Sequence, residues 1–367
     1  MTKKNNVLLT VSGNIADDLL EDIARGEKPR TDYIEMAKAF GADLIDYKTA
    51  AAQTGIIGKL LQKTAGNNMM LAWASFRQRK NYATIFTDGE QIGLPYALLL
   101  RLFGWLGGHR PAHLMITHLI STRSKMTLTS TFSLHKYIDR FLVYSTRQQE
   151  IICQTWNLPI TRVPFTPFMV DQLFFSAEEA ENQPELPGIT DTEKPYICSV
   201  GLEFRDYPTL MEAVEGLDLH IVIAAGSPWS KREDQTKSAE IPQNVTVKRF
   251  TQKELRKLYQ KSQFVIMPLL ENDFQAGITA ILEAMALEKA IICTRTRGQL
   301  DVIQEGITGM YVAPNNPTAL REAIETLLNN PSLAEKMGKA GRQIIDNQMN
   351  LDQYTARLNR FIADASS

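Results

Sequence analysis

Three absences narrow this sequence before any pattern in it is read. Cysteine is scarce, with three in 367 residues at positions 153, 198 and 293. An odd number, set far apart in apolar runs such as YICSVG and IICT, excludes a disulfide framework and reads as reduced core residues. No run of 18 apolar residues occurs, which excludes a membrane-spanning helix. The opening MTKKNNVLLTVSGN goes straight into a strand pattern and lacks the apolar stretch and small-residue cleavage site of a signal peptide. The expectation is a cytoplasmic protein without low-complexity tracts or repeats of 20 to 50 residues.

What is present is ordinary for a globular chain: 44% hydrophobic and 22% charged residues, enough for two domains of ~150 residues each. The net charge of −1 conceals an asymmetry, because residues 1–170 carry 20 Lys and Arg against 13 Asp and Glu, and the remainder 20 against 28. The basic bias is strongest from 47 to 138, with eleven bases and only two acids, Asp88 and Glu90. Within it, GIIGKLLQKTAGNNMMLAWASFRQRK interleaves Lys59, Lys63, Arg77, Arg79 and Lys80 with Ile56, Ile57, Leu60, Leu61, Met69, Met70, Trp73 and Phe76. That composition fits a helix lying on an anionic membrane surface, and equally a helix with one solvated face and one core face. No recognition motif accompanies the charge, so no nucleic-acid partner is expected.

Strand-like and helix-like runs alternate along the chain. NNVLLTVSG, helical TDYIEMAKAF, ADLIDY, YATIFTDG, helical LPYALLLRLFGW, HLMITHLI, DRFLVYST and RVPFTPF fill the first half. An acidic, proline-bearing stretch, SAEEAENQPELPGITDTEK at 176–194, reads as a linker. The alternation then restarts with PYICSVG and runs through KAIICT, a helical LDVIQEG and MYVA to three helices at 317–329, 332–346 and 351–364. Such alternation predicts an α/β chain of two doubly wound parallel sheets, with ligands at the carboxyl ends of strands and the two domains facing across a cleft. The expected division is 1–175, the linker 176–194, 195–346, and a C-terminal helix at 347–367 that packs back on the first domain.

The segment QAGITAILEAMALEKAIICT, 275–294, concentrates the chemistry. Ile278, Ile281, Leu282, Met285 and Ala286 form one apolar stripe at helical spacing, yet Glu283 is set into the same short helix. Gly277 and Thr279 stand at its start. No metal is expected, since a DxD loop, HExxH and paired CxxC are all missing. A dinucleotide enzyme is disfavoured because the loops after the first strands read SGNIAD and GLEFRD rather than GxGxxG.

Residues 268–328, from PLLENDFQAGITAILEAMA through IICTRTRGQLDVIQEGITGMYVAPNN, resemble the donor-binding region of the retaining glycosyltransferases of family 4. SVGLEFRDYPTLMEAVEG resembles the start of that family's second domain. The likeness covers about the last 170 residues well and the first half only loosely. It implies the GT-B architecture of two Rossmann-like domains, and retaining, metal-independent transfer from a nucleotide diphosphate sugar to a glycan, lipid or small-molecule acceptor; the alternatives are a GT-B enzyme that cleaves or epimerises without a sugar acceptor, and a nucleotide-sugar-binding protein with weakened catalysis. The sugar nucleotide is a substrate, so no cofactor is implied.

The resemblance assigns roles residue by residue. Backbone amides of Gly277, Ile278 and Thr279, beside Gln275 and Ala276, face the diphosphate, and Arg205 supplies a guanidinium to it. Glu283 matches the second acid of a Glu-x7-Glu motif, which accepts ribose hydroxyls. The first position of that motif holds Gln275, a departure, because an amide cannot stabilise positive charge at the anomeric carbon as a carboxylate does. Glu271, four residues earlier, is the candidate to replace it. In the first domain Gly13 matches a small residue beside the sugar, and His118 a histidine that contacts it, with His113 as competitor. Asp88 and Glu90 either orient an acceptor hydroxyl or serve a turn or cap.

Overall fold

The computed structural model describes residues 6–105, 110–177, 186, 195–225 and 241–366. Its contacts divide the chain into two units. One is Met1–Leu20, Arg30–Pro167 and Asp352–Ser367, the other Glu21–Pro29 and Phe168–Leu351. The helix Leu351–Ser366 therefore belongs, from Asp352 on, with the first unit. The linker expected at 176–194 lies, apart from residues 176, 177 and 186, outside the described residues.

In the first unit, β1 (Val7–Thr10), β2 (Asp43–Ile45), β3 (Thr84–Thr87), β4 (Ala112–Thr117) and β5 (Arg140–Val143) form one sheet in the order β2-β1-β3-β4-β5. Every pairing is parallel. Strands β1 and β3 are buried at all four positions, as the continuous runs VLLT and TIFT require of strands covered on both faces. Leu8, Ile85, Met70 and Tyr96 pack together on one side, and Met115, Phe141, Val143 and Trp156 in a second cluster.

The second unit repeats the design with six parallel strands: β6 (Tyr196–Val200), β7 (His220–Ala224), β8 (Val245–Lys248), β9 (Val265–Met267), β10 (Ile291–Thr294) and β11 (Gly309–Val312), ordered β11-β10-β9-β6-β7-β8. Ile197, Ile221, Ile266, Ile292 and Ile324 share its core. The expectation of two parallel, doubly wound sheets is met. Helix starts follow their capping chemistry. Thr251 and Glu254 form a reciprocal capping box for Gln252–Lys261, and Asn316 caps Pro317–Asn329 through Ala319 N.

Two elements differ from expectation. RVPFTPF makes a single isolated bridge, Val143 to Phe165, rather than a strand, because Pro164 and Pro167 have no N–H to donate to a ladder. LDVIQEG is a turn. Gln304 N and Thr308 N close it through Thr308 Oγ1 and Gln304 O, while Val302 and Ile303 insert into the core.

The basic, apolar segment forms the helix Gly55–Gln78, broken at Gly66 by φ 84°. The break separates two environments. Before it Ile56, Ile57 and Leu60 are exposed at 87%, 56% and 60%. After it Met70 and Phe76 are core residues, and Arg79 is buried with its guanidinium 3.8 Å from the Phe76 ring centroid. Met70, Phe76 and Arg79, expected to meet a membrane, therefore belong to the interior, and Met69 and Trp73 pack partly buried against it.

Candidate active site

Each unit gathers polar groups at the carboxyl ends of its strands, where parallel sheets bind ligands. In the second unit the short helix Ile278–Ala286 begins at Gly277, which is left-handed at φ 78°, a conformation that strains any residue with a Cβ. Its apolar stripe is buried, with Ile281, Leu282, Ala284, Met285 and Ala286 at 0% exposure. At the far end Arg342 Nη1 donates to Ala286 O at 2.7 Å, a cation at the negative end of the helix. Gly338 lets the packing helix approach Glu288 O, where a Cβ would come within 1.8 Å. The helix is thereby fixed so that its amino end stays open. Ile281 N is its first internal donor, to Gly277 O at 3.0 Å, and Ile278 N reaches Gln275 O at 3.4 Å. The amides of Gly277, Thr279 and Ala280 have no protein acceptor among the described residues. Such a terminus attracts anions.

Arg205 lies beside it. Nε donates to Val200 O at 2.9 Å and Nη1 to Glu203 O at 2.7 Å, while Nη2 has no protein partner among the described residues. Arg205 is 5% exposed, and its guanidinium has no carboxylate within ion-pair distance there. Burial pulls its pKa down. Asp206 is not its partner: that carboxylate caps the helix Tyr207–Val214 through Thr209 N and Thr209 Oγ1. A buried cation held by carbonyls and lacking an anion is costly unless a ligand supplies one. Two glycines make room for it, since a Cβ on Gly201 would lie 2.4 Å from Nη2 and one on Gly277 3.3 Å from Nη1. Gly201 also has φ 102°. Gly201→Ala is therefore expected to destabilise the fold by about 1 to 3 kcal/mol and to displace the guanidinium. Thermal unfolding and diphosphate titration should both fall; unchanged diphosphate affinity in a folded variant would reject the placement of Arg205 at an anion site.

Glu283 is 7% exposed, so it is not a solvated helix acid. Oε2 accepts from Tyr259 Oη at 3.0 Å, and Oε1 has no partner among the described residues. Burial raises the carboxyl pKa to about 7, with the Tyr259 hydrogen bond opposing the rise. Gln275 is 3% exposed. Its Nε2 donates to Asp301 Oδ2 at 3.2 Å, and its Oε1 is buried without a partner. Ala276 is buried, and its carbonyl accepts from Gln299 Nε2 at 2.9 Å. Glu271 is engaged elsewhere, accepting from Arg297 N at 2.9 Å and Arg297 Nε at 3.4 Å.

In the first unit the loops after β1, β3, β4 and β5 meet. Asp88 accepts from Thr10 Oγ1 at 2.9 Å and from Ser12 N and Oγ, each at 2.6 Å. This clips the Gly13 loop to the end of β3. A Cβ on Gly13 would meet nothing within 4 Å, so the surrounding protein does not itself demand glycine. Glu90 is 2% exposed and accepts from His118 N and Leu119 N at 3.0 Å and Lys125 Nζ at 2.7 Å. Both its oxygens fasten the loop that carries His118. His118 Nε2 lies 2.8 Å from Asp88 O, which only accepts, so Nε2 donates, and Nδ1 lies 2.8 Å from Tyr144 Oη. Both ring nitrogens are thus used by the chain. His113 is a core residue at 0% exposure, between Thr87 Oγ1 and Tyr137 O, and burial lowers its pKa to about 4.

Tyr259, Asp301 and Gln299 in the second unit, and Asp32, Ser12 and Tyr144 in the first, were not singled out from the sequence. Asp32 joins the first-unit centre electrostatically: burial raises its carboxyl pKa, and Asp88 adds to the rise. Read alone, it is one more acid in the first turn of a helix, and Tyr259 one more apolar-face tyrosine. Neither carries a local signal.

Residues 188–344 match the family model described as glycosyl transferases group 1. Among curated relatives, an uncharacterised glycosyltransferase of Methanocaldococcus jannaschii is 27% identical over 36% of this chain and 38% of its own length. The human alpha-1,3/1,6-mannosyltransferase ALG2 is 27% identical over 39% and 36%. The chain thus spans less than two fifths of the length of these relatives. Solved structures share the fold over nearly the whole chain. Sucrose-phosphate synthase of Thermosynechococcus elongatus superposes with a TM-score of 0.71 at 15% identity over 98% of both chains. Anabaena HepE, solved with UDP and glucose, gives 0.70 at 10% identity over 98% of this chain and 99% of its own. The two-sheet architecture is that of the GT-B fold.

Proposed function

We propose that this protein is a glycosyltransferase that moves a sugar from a nucleotide diphosphate sugar to an acceptor with retention of configuration. The observation that carries the reading is the buried, carboxylate-free Arg205 beside the open amino end of the helix Ile278–Ala286, with the Glu283 carboxylate farther along the same helix. Negative charge on the distal phosphate grows as the glycosidic bond breaks. Arg205 and the amides of Gly277, Thr279 and Ala280 are fixed donors for that charge. Glu283 Oε1 accepts a ribose hydroxyl. The chain itself supplies the positive field, which favours a metal-independent mechanism, with the departing diphosphate taking the acceptor's proton. In the first unit, Asp88 and Glu90 act as positioning groups for the Gly13 loop and for His118, the candidate sugar contact.

Incubation with a panel of nucleotide sugars, beginning with uridine diphosphate donors and run with and without lipid extract, tests the reading through release of nucleoside diphosphate. Release that depends on an acceptor supports transfer. Nucleotide binding without turnover supports a second reading, a sugar-nucleotide-binding protein, which the amide at Gln275 favours. Absence of both binding and release rejects the two together. Arg205→Ala is expected to weaken free nucleoside diphosphate by about 1.5 to 3 kcal/mol, the range for a charge-assisted hydrogen bond. Calorimetric titration measures it, and an unaltered affinity rejects the phosphate assignment.

No helix among the described residues is long and apolar enough to cross a membrane. Exposed Ile56, Ile57 and Leu60, beside exposed Lys59 and Lys63, instead suit peripheral attachment to an anionic bilayer, where the acceptor would be lipid or lipid-linked. Each base near such a surface contributes about 1 kcal/mol, so neutralising Lys59 and Lys63 together should lower vesicle binding about tenfold or more. Co-sedimentation with anionic and neutral vesicles at low salt checks this, and equal binding to both removes the membrane from the proposal.

A further inference from the structure

At the opposite ends of β4 and β5 from His118 and Tyr144, the first unit has a cavity of about 460 Å³ whose lining includes Arg110, Asp139, Arg140, Arg162 and Ala365. Three guanidinium groups from three separate places in the chain share this space with one acid. Asp139 is already committed. It accepts Arg110 Nη2 at 2.9 Å on both oxygens, and His113 N at 2.8 Å on Oδ2. Arg140 and Arg162 are held by neutral groups. Arg140 Nη1 donates to Thr161 O, and Arg162 Nη2 donates to Ile138 O and to His135 O at 2.8 Å. No carboxylate among the described residues forms an ion pair with either.

Two positive charges are therefore fixed in one concavity with no ion-pair partner of their own among the described residues, and their remaining N–H groups have no protein acceptor there. Burial holds the Arg162 pKa below its usual value; Asp139 opposes the fall, while Arg110 and Arg140 deepen it. Carbonyl anchoring removes much of the side-chain entropy that a ligand would otherwise have to freeze. A planar fork of donors at two or three positions matches phosphate oxygens better than a lone carboxylate.

We propose that this cavity is a binding site for a phosphate dianion, carried by a phosphomonoester or a phospholipid headgroup, separate from the sugar-nucleotide machinery. Its ligand would also touch the helix Leu351–Ser366 at Ala365.

The test is titration of the full chain with inorganic phosphate at constant ionic strength against chloride. The Arg205→Ala background removes the guanidinium of the other anion site. A parallel arm measures co-sedimentation with phosphatidylcholine vesicles with and without phosphatidic acid. Saturable phosphate binding that falls at least about tenfold on adding Arg140→Gln or Arg162→Lys supports the site. A preference for phosphatidic acid vesicles lost in the same variants supports it with a lipid source. Arg140→Gln leaves the double carbonyl anchor of Arg162 in place, so a folded protein is available if the Arg162 variant unfolds. Absence of saturable phosphate binding together with no phosphatidic acid preference overturns the proposal. So does binding that neither substitution changes.

Discussion

Glu283→Gln is expected to make the protein more stable at pH 8 while making it bind nucleosides less well. The carboxyl is buried and titrates at about 7 in the fold, against roughly 4.5 in an unfolded chain. Between those values the unfolded state has released its proton and the folded state has not. Unfolding free energy therefore falls as pH rises through the window, and the full loss is present above about pH 7. At 1.36 kcal/mol per unit, the ionised acid destabilises the second unit by about 3 kcal/mol. Glutamine keeps an acceptor for Tyr259 Oη and carries no charge, so the variant should match wild type near pH 4.5 and exceed it above pH 7. Denaturant unfolding at several pH values reads the difference, and parallel curves would show that Glu283 is not held neutral by burial.

The same substitution should flatten a second pH dependence. A nucleotide sugar's diphosphate does not titrate near neutrality, so a rise in wild-type affinity from pH 6 to 8 reports Glu283 becoming an ionised acceptor for the ribose. Greater stability and weaker binding in one variant are the expected signature of a buried acid kept for a ligand rather than for the fold. Tyr259→Phe probes the same pair from the other side. Removing its hydrogen bond should move the midpoint of the binding profile upward, because that bond favours the ionised form.

The sheets were legible because each strand is a short run of apolar, mostly β-branched or aromatic residues, bounded by turn signals and followed by a helical pattern. Gly277 and Glu283 stood out for a similar local reason, as a glycine at the start of an apolar helix and an acid within it. Asp301 and Tyr259 were not, because their meaning comes from partners 26 and 24 residues away. The basic helix misled in part. Composition shows neither the break at Gly66 nor that Arg79 lies over Phe76 inside the first unit. His118 fell at the expected strand end, but nothing local shows that Tyr144 and the Asp88 carbonyl occupy both of its nitrogens.

Gln275→Glu is expected to be costly alone and tolerated in combination. The amide that reaches Asp301 Oδ2 at 3.2 Å would become a second carboxylate in a site only 3% exposed. Two such groups cannot both ionise at this separation, so the pair must retain a proton, separate or destabilise the loop. Adding Asp301→Asn restores one amide and one carboxylate with their places exchanged. A double-mutant cycle on unfolding free energy should then give a coupling of about 2 to 3 kcal/mol, at the upper end for contacting residues. Function offers a separate readout. On the proposed function, Gln275 Oε1, which lacks a partner among the described residues, would take a hydroxyl of the transferred sugar, with Asp301 holding the NH2. Asp301→Asn frees the amide to turn over, which should raise KM for the donor and alter sugar preference while leaving nucleoside diphosphate affinity near its original value. The exchanged pair should prefer a different donor sugar, since a carboxylate then stands where the amide stood. Energies that add within about 0.5 kcal/mol in the cycle would show that the two residues do not act as a pair. Equal losses for the sugar nucleotide and the bare diphosphate would show that they serve the whole loop rather than the sugar.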